Sequence, residues 1–456
     1  MRAPHTTTTP MLASPKNDNT MLRLLIVIFI ILNLSCGRSI PKYESFSQNN
    51  SEIPDTISYH LLGIIKGHDI FVERDVNLKG GVCQLPEGMN LCQKGGIISN
   101  GTLIGNGTMI TGKGAIFNKV TIKGNWNVPN ISTKLFANLD EENSLRQVVA
   151  LTHPNIQNTI TIEEGNYQVK AEKNADVCIL LCSNTNFILN GSLHLEPNNF
   201  EKSNIIQATG ENIRISGKGS INGDKFTHTG KTGEWGMGIN FKGAINSSVS
   251  GLTIQECWGD CIYVGGNSKD ILIEDCTLNH GRRQGISVTK ADGVTIKNCK
   301  ITNVEGTQPQ YAIDLEPNSP DSVNHILIDN VVVEDCKGGF MVMCGERKEG
   351  AKVPWIGSVE IKNCNIHANW LMPIIVNRCD SFKIEKCTIH SPKGLSAISI
   401  MKTFHAEILD NSIQVNNGIK DNVRRIARKI KNKKDGSPIS ISDTEQLINN
   451  NNRIID

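Results

Sequence analysis

The sequence predicts an all-β protein, a right-handed single-stranded parallel β-helix, and three observations lead there. First, a pattern recurs from Leu252 onward: LTIQEC (252–257), ILIEDCTL (271–278), VTIKNCKI (294–301), ILIDNVVV (326–333), VEIKNCNI (359–366), FKIEKCTI (382–389) and AEILDNSI (406–413). Each segment alternates apolar and polar residues at period two, as a half-buried strand does, then breaks at a polar residue and restarts. Second, another short strand lies between these segments: CIYVG (261–265), GISVT (285–289), AIDLE (312–316), FMVMC (340–344), IIVNR (374–378) and AISIM (397–401). Third, no helical stretch separates the strands, and a βαβ sheet needs a crossover helix between its parallel strands. Coils stacked on coils remain, each giving about three strands.

The position after each polar break is Cys257, Cys276, Cys299, Val331, Cys364, Cys387 and Asn411, with steps of 19, 23, 32, 33, 23 and 24 residues. A step near 23 is one coil. The two long steps are coils with inserted loops, near Asn303–Gln310 and Glu346–Gly357. Residues in register stack about 4.8 Å apart with parallel side chains, wider than the ~3.8 Å between Cβ atoms that a disulfide adopts. The series Cys257, Cys276, Cys299, Cys364 and Cys387 therefore reads as an interior ladder of free thiols. No Cys-x-x-Cys pair accompanies it to make a metal site.

Five segments follow in chain order. Residues 1–35 form a leader. Arg23 precedes an apolar run from Leu24 to Leu32, too short at ~13 Å of helix to cross ~30 Å of hydrocarbon, so it reads as a signal-peptide core. Residues 1–20 read as an upstream extension, with Met21 a candidate start. The run ends in Leu34-Ser35-Cys36-Gly37, which resembles the lipobox of bacterial lipoproteins. That resemblance implies lipidation of Cys36, export and a membrane-anchored protein, periplasmic or at the cell surface. Asn33 departs from the strictest form of the motif. Residues 37–56 are a linker, and 57–136 an N-terminal β-rich domain broken by Gly and Asn turns. The β-helix proper spans 137–415. It opens on a helical stretch, 142–151, whose Leu145, Val148, Val149 and Leu151 suit a cap on the first coil. Residues 416–456 read as a basic helix, with Ile419, Val423, Ile426 and Ile430 on one face, then a disordered Asn-rich end at 449–452.

Composition agrees. Aromatics are 5% and Gly counts 41 of 456 residues, which suits a β-rich repeat rather than a helical bundle. Without residues 1–35 the basic and acidic side chains balance at 44 each. A neutral chain has no global field to draw in nucleic acid, so that partner is excluded.

ITIEEGNYQV (160–169), LNGSLHLEPN (189–198), ISGKGSINGD (215–224) and VSGLTIQECWGDCIYV (249–264) resemble the pectate-lyase-like superfamily, with the order of polygalacturonase-like and tailspike-like members. The resemblance covers roughly residues 137–415. It implies the fold and a polysaccharide partner. It does not imply one activity, because the superfamily holds lyases, hydrolases, epimerases and non-catalytic proteins. Where polygalacturonase-like hydrolases carry paired aspartates, Gly-His-Gly and Arg-Ile-Lys, this chain has the single Asp260 after Trp258-Gly259, Asn279-His280-Gly281, and no match to the third motif. That catalytic set is not transferred.

Strand parity defines the candidate site. If Ile262, Ile286, Ile313 and Ile374 point inward, then Tyr263, Ser287, Asp314 and Ile375 form one outward row. Gly265, Thr289, Glu316 and Asn377 form the next. Asp314 and Glu316 sit ~6.6 Å apart along one strand, a spacing that suits paired-carboxylate hydrolysis (~5–9.5 Å) or a Ca²⁺ site of carboxylate oxygens. Asp260 lies two coils earlier. His280, Arg282 and Arg283 precede the Gly285 strand and can overhang the row. The catalytic candidates are Asp314, Glu316, Asp260, Arg282, Arg283 and His280. Tyr263, Lys290, Asn377, Arg378 and Trp235 are candidates for substrate binding. Two functions fit: cleavage of a uronate-containing glycan, by calcium-assisted proton abstraction in a lyase or by an acid–base carboxylate pair in a hydrolase, and non-catalytic glycan binding.

Overall fold

The protein is described from a computed structural model over residues 55–139, 144–173, 176–345, 355–416 and 436–455. The leader, Cys36, most of the linker, the 346–354 part of the second insertion and the basic segment 417–435 lie outside the described residues.

Three stacks of parallel strands build the coils from Asn130 onward among the described residues. The first passes from Val177–Leu181 through Lys202–Glu211, Trp235–Ser250, Ile262–Gly265, Ile286–Val288, Tyr311–Leu315, Gly338–Met343, Ile374–Asn377 and Ile398–Met401 to Ile439–Ser442. The second holds the alternating strands, such as Ser268–Glu274 and Ala291–Lys297, and the third the short restarts, such as Thr277–Asn279 and Lys300–Thr302. Register is strict. Ile262, Ile286, Ile313, Phe340, Ile374 and Ile398 stand one above another, all closed to solvent. Each such side chain contributes roughly 1.5–3 kcal/mol of burial, and the repeat multiplies that term along the axis.

The turn between second and third stacks is one residue in the left-handed region: Asp275, Asn298, Asn330, Asn363, Lys386 and Asp410, with φ between 53° and 56°. Asn and Asp tolerate this conformation better than most residues. Register after the turn corrects the first repeat. Thr253 pairs with Thr277, so the partner of Cys276 is Leu252, reached through Gly251 (φ 74°). Cys257 belongs to a different column, and the first step is 24 residues. The rest of the ladder stands. Cys276, Cys299, Val331, Cys364, Cys387 and Asn411 each precede strands paired in series. The ladder also carries hydrogen bonds. The Val331 amide donates to Cys364 Sγ at 3.5 Å, Cys364 N to Cys387 Sγ at 3.4 Å, Cys387 N to Asn411 Oδ1 at 2.9 Å and Asn411 N to Asn452 Oδ1 at 2.9 Å. The ladder cysteines Cys276, Cys299, Cys364 and Cys387 are free thiols.

The ends of the stack differ from the sequence reading. Parallel pairing starts before residue 137. Asn130–Ser132 already joins the second stack against Asn158–Ile162, and strands such as Ile98–Thr111 and Phe117–Trp126 pair in parallel upstream. The helix Ser144–Val149 covers the outer edge of Val177–Leu181 and also touches Phe117–Trp126, with Gln147 accepting from the Ile122 amide at 2.7 Å. It caps one strand and bridges to the strands before it. The Asn-rich end is not disordered. Gln446–Asn450 pairs with His405–Leu409, and Arg453–Ile455 with Ser412–Asn416. Composition treats those asparagines as solvated, whereas in register they continue the ladder.

Candidate active site

Five turns and strands deliver the site to the outer face of the first stack. Tyr263, Ser287, Asp314 and Met341 align in one row, and Glu316 follows Asp314 by two residues on the same face. Asp260 lies two residues before Ile262, at the corner entering its strand. Its carboxylate reaches forward, and Ser287 Oγ of the next coil donates to Oδ2 at 2.8 Å.

Arg283 is the hub. Nη1 stands 3.6 Å from Asp260 Oδ2, Nη2 4.0 Å from Glu316 Oε2, and Nε 3.3 Å from Glu234 Oε2. Sharing one guanidinium holds Asp260 and Glu316 to a separation on the order of 10 Å or less. Asp314 is held differently. Gln284 Nε2 donates to its Oδ2 at 2.6 Å, and Gln284 Oε1 in turn accepts from the Tyr311 amide at 2.9 Å. Oδ1 of Asp314 and Oδ1 of Asp260 are buried without a protein hydrogen-bond partner.

Burial separates the protonation of these acids. Asp260, closed to solvent, is pushed up to about 6 by desolvation, against the opposing pull of Arg283 and the Ser287 hydroxyl. Asp314, only 2% exposed, is raised well above the usual carboxylate range by burial and then by the charge of Glu316. Glu316 is raised by desolvation but drawn back by Arg283, and its side chain keeps 38% of its exposure. The arrangement offers a buried carboxyl that holds its proton beside an accessible carboxylate facing a cation.

The other predicted residues do not converge here. Arg282 donates through Nη1 to the carbonyls of Gly233 (3.0 Å) and Trp258 (2.9 Å) and lies 3.6 Å over the Trp258 ring, so its hydrogen bonds go to the loop, and of the site's carboxylates it feels the charge of Glu234. His280 meets Phe226 edge-on at 5.4 Å. Lys290 is paired with Asp321 at 2.7 Å. Tyr263 bonds Thr289 Oγ1 at 2.7 Å and flanks the site, where burial raises its phenol. Asn377 and Arg378 stand two coils beyond Asp314, with Arg378 donating to the Cys344 carbonyl at 3.3 Å. Trp235 is 48% exposed beneath Lys202, next in sequence to Glu234.

The calcium expectation rests on Asp314 and Glu316. The cation already facing the carboxylates is Arg283, and one Asp314 oxygen is taken by Gln284. Among the described residues no three His, Cys, Asp or Glu side chains are spaced to hold a metal ion. Outward parity pointed to Asp314, Glu316 and Ser287. It had no means of finding Gln284, which sits at a corner, or the ion pair of Glu234, which lies in a non-repeating turn.

Residues 161–320 match the family described as the right handed beta helix region. The chain is a right-handed parallel β-helix. Two Bacillus subtilis (strain 168) proteins are similar in sequence over short stretches. One is the SPbeta prophage-derived uncharacterized protein YorA, 28% identical over 28% of this chain and 25% of its own length. The other is the uncharacterized protein YclG, 35% identical over 23% of this chain and 21% of its own length. The chain thus spans about a quarter or less of the length of the curated relatives it matches. Among solved structures it is similar to the A-module of mannuronan C-5 epimerase AlgE6 from Azotobacter vinelandii, at TM-score 0.48 and 13% identity, covering 65% of this chain and 87% of that one. It is also similar to a family 28 exopolygalacturonase from Yersinia enterocolitica, at TM-score 0.44 and 10% identity, over 73% and 79% of the two chains. A third is tailspike protein gp49 of Acinetobacter baumannii bacteriophage Fri1, a capsular polysaccharide depolymerase, at TM-score 0.33 and 13% identity, over 66% and 57%. All three scores lie below 0.5, and no residue role is carried over from these proteins.

Proposed function

We propose that this β-helix hydrolyses glycosidic bonds in a uronate-containing polysaccharide. The observation that supports the reading is the convergence of Asp260, Glu316 and Glu234 on Arg283 beside a buried Asp314. Asp314 is the general acid: its proton passes to the glycosidic oxygen as the C–O bond breaks. Glu316 is the base: it takes a proton from the water whose oxygen bonds to the anomeric carbon. Arg283 keeps Glu316 ionised and supplies positive charge for a uronate carboxylate. Asp260 and Glu234 hold Arg283 in place.

The test is incubation of the protein with a panel of uronate and neutral glycans, with and without calcium. New reducing ends without an unsaturated, ultraviolet-absorbing product are the expected result. An unsaturated product means a lyase and overturns the hydrolytic roles. Binding without cleavage means a glycan-binding protein, the reading favoured by the absence of the polygalacturonase motifs from this sequence.

We also propose that the protein is exported and anchored through lipid on Cys36, on the strength of the leader ending in Leu34-Ser35-Cys36-Gly37. Cys36→Ala should then move it from the membrane to the soluble fraction, and an unchanged distribution would end that idea.

A further inference from the structure

A second set of polar and aromatic groups lies behind the site. The turn between strands Ser220–Asn222 and Trp235–Ser250 begins at Asp224 and ends at Glu234. Asp224 Oδ2 bonds His228 Nδ1 at 2.7 Å, with both side chains closed to solvent. The His228 ring stacks on Trp258 at 3.8 Å and 19°. Arg282 lies over the same indole at 3.6 Å, and at those distances the two must occupy opposite faces. From there Arg282 grips the Gly233 carbonyl, one residue before Glu234. Gly233 has φ 99°, and a Cβ there would meet Glu201 Cα at 2.4 Å, so this close passage of the backbone requires glycine.

This stack is costly for mere packing. Asp224 Oδ1, His228 Nε2 and Trp258 Nε1 are all buried without partners, and each is an uncompensated desolvation that an apolar plug would avoid. What the stack achieves is placement of the turn's last residue. We propose that Asp224, His228, Trp258 and Arg282 form a positioning device that holds Glu234 against Arg283 and so sets how much of the Arg283 charge reaches Asp260 and Glu316. As a device for this site it rests on the hydrolytic reading, but its electrostatic consequence does not. The charge of Glu234 raises both Asp260 and Glu316, and that of Arg283 lowers them. With Glu234 released, Arg283 pairs more fully with the other two, and both carboxyls become more acidic.

The test is carboxyl ¹³C NMR titration of the whole protein, with Asp260 and Glu316 assigned through Asp260→Asn and Glu316→Gln. Glu234→Gln should lower the Asp260 midpoint from about 6 by roughly half a unit or more, since removal of one neighbouring charge shifts a buried carboxyl by that order. Arg282→Met should give the same shift with Glu234 intact. Arg282→Lys should also give it, because lysine keeps the charge but not the planar, stacking, two-carbonyl grip. A midpoint that moves in Glu234→Gln but stays at the wild-type value in both Arg282 variants overturns the positioning role. One that moves in none of them overturns the coupling itself. The matching kinetic signature is the acid limb of the pH–rate profile, set by Glu316, moving to lower pH. Shifted midpoints in a protein that cleaves no glycan would uphold the device and remove the hydrolytic reading.

Discussion

Arg283 stands 3.6 Å from Oδ2 of Asp260, a carboxylate one coil below it that no solvent reaches. The contact is too long for a strong charged hydrogen bond, so Asp260 is only partly compensated, and its proton affinity stays high. Much of the site's behaviour follows from that partial compensation.

Asp260→Asn should stabilise the protein at high pH. A carboxyl whose native pKa is raised favours the folded state fully below its unfolded value near 3.8 and loses that advantage as pH climbs through about 6. Above pH 7 the ionised, buried Asp260 costs about 2–3 kcal/mol at the conversion of 1.36 kcal/mol per unit. The amide should therefore raise the melting temperature at pH 8 and leave it nearly unchanged at pH 4. Equal shifts at both pH values would refute the burial argument.

Arg283→Met should show the opposite stability profile. Removing the only cation within 4.0 Å of Asp260 and Glu316 among the described residues leaves the buried Asp260 uncompensated, a change that costs about 3–5 kcal/mol when the partner stays charged. At pH 4, where both acids hold protons, most of that loss should vanish. Thermal melts across pH 4–8 would show it, and a pH-independent loss would mean that Arg283 contributes packing alone.

Asp314→Asn and Glu316→Gln should each reduce glycan cleavage by about 10²–10⁴-fold, the usual contribution of a positioned acid or base. Neither should lower the melting temperature by more than a few degrees, because Asp314 sheds a buried carboxyl and Glu316 is partly exposed. The acid limb belongs to Glu316 and the alkaline limb to Asp314, so Glu316→Gln should flatten the acid side of the rate profile.

Asn411→Ala should destabilise the C-terminal coils by about 1–3 kcal/mol, since the Cys387 amide would lose its acceptor and Asn452 Oδ1 one of its two donors. Asn411→Cys should recover part of the loss, as sulfur accepts the equivalent bond two coils earlier. Denaturant midpoints for the two variants decide the matter. If Ala and Asn are equally stable, the ladder is packing without hydrogen bonding.

The coil, its inward column of Ile and Val, and the outward placement of Ser287, Asp314 and Glu316 were legible because period-two alternation is a property of the strand itself. The first repeat was misaligned at Cys257 because a Cys and a Glu five residues on imitate the Asp-Cys break, while the real break is Gly251-Leu252. The C-terminal strands were missed for a related reason. Single-residue composition cannot show that Asn452 meets Asn411 across 41 positions.

The pattern of residues by itself determined the β-helix, the order of its strands and the row that carries two of the acids, since a repeat that buries one face must stack on copies of itself. Tertiary structure alone decided which charges meet. Arg282 and Arg283 are neighbours in a corner, where no alternation applies, and one turns to backbone carbonyls while the other turns to three carboxylates. That choice depends on a non-repeating turn that brings Glu234 alongside from two coils away, and periodicity carries no information about such a turn.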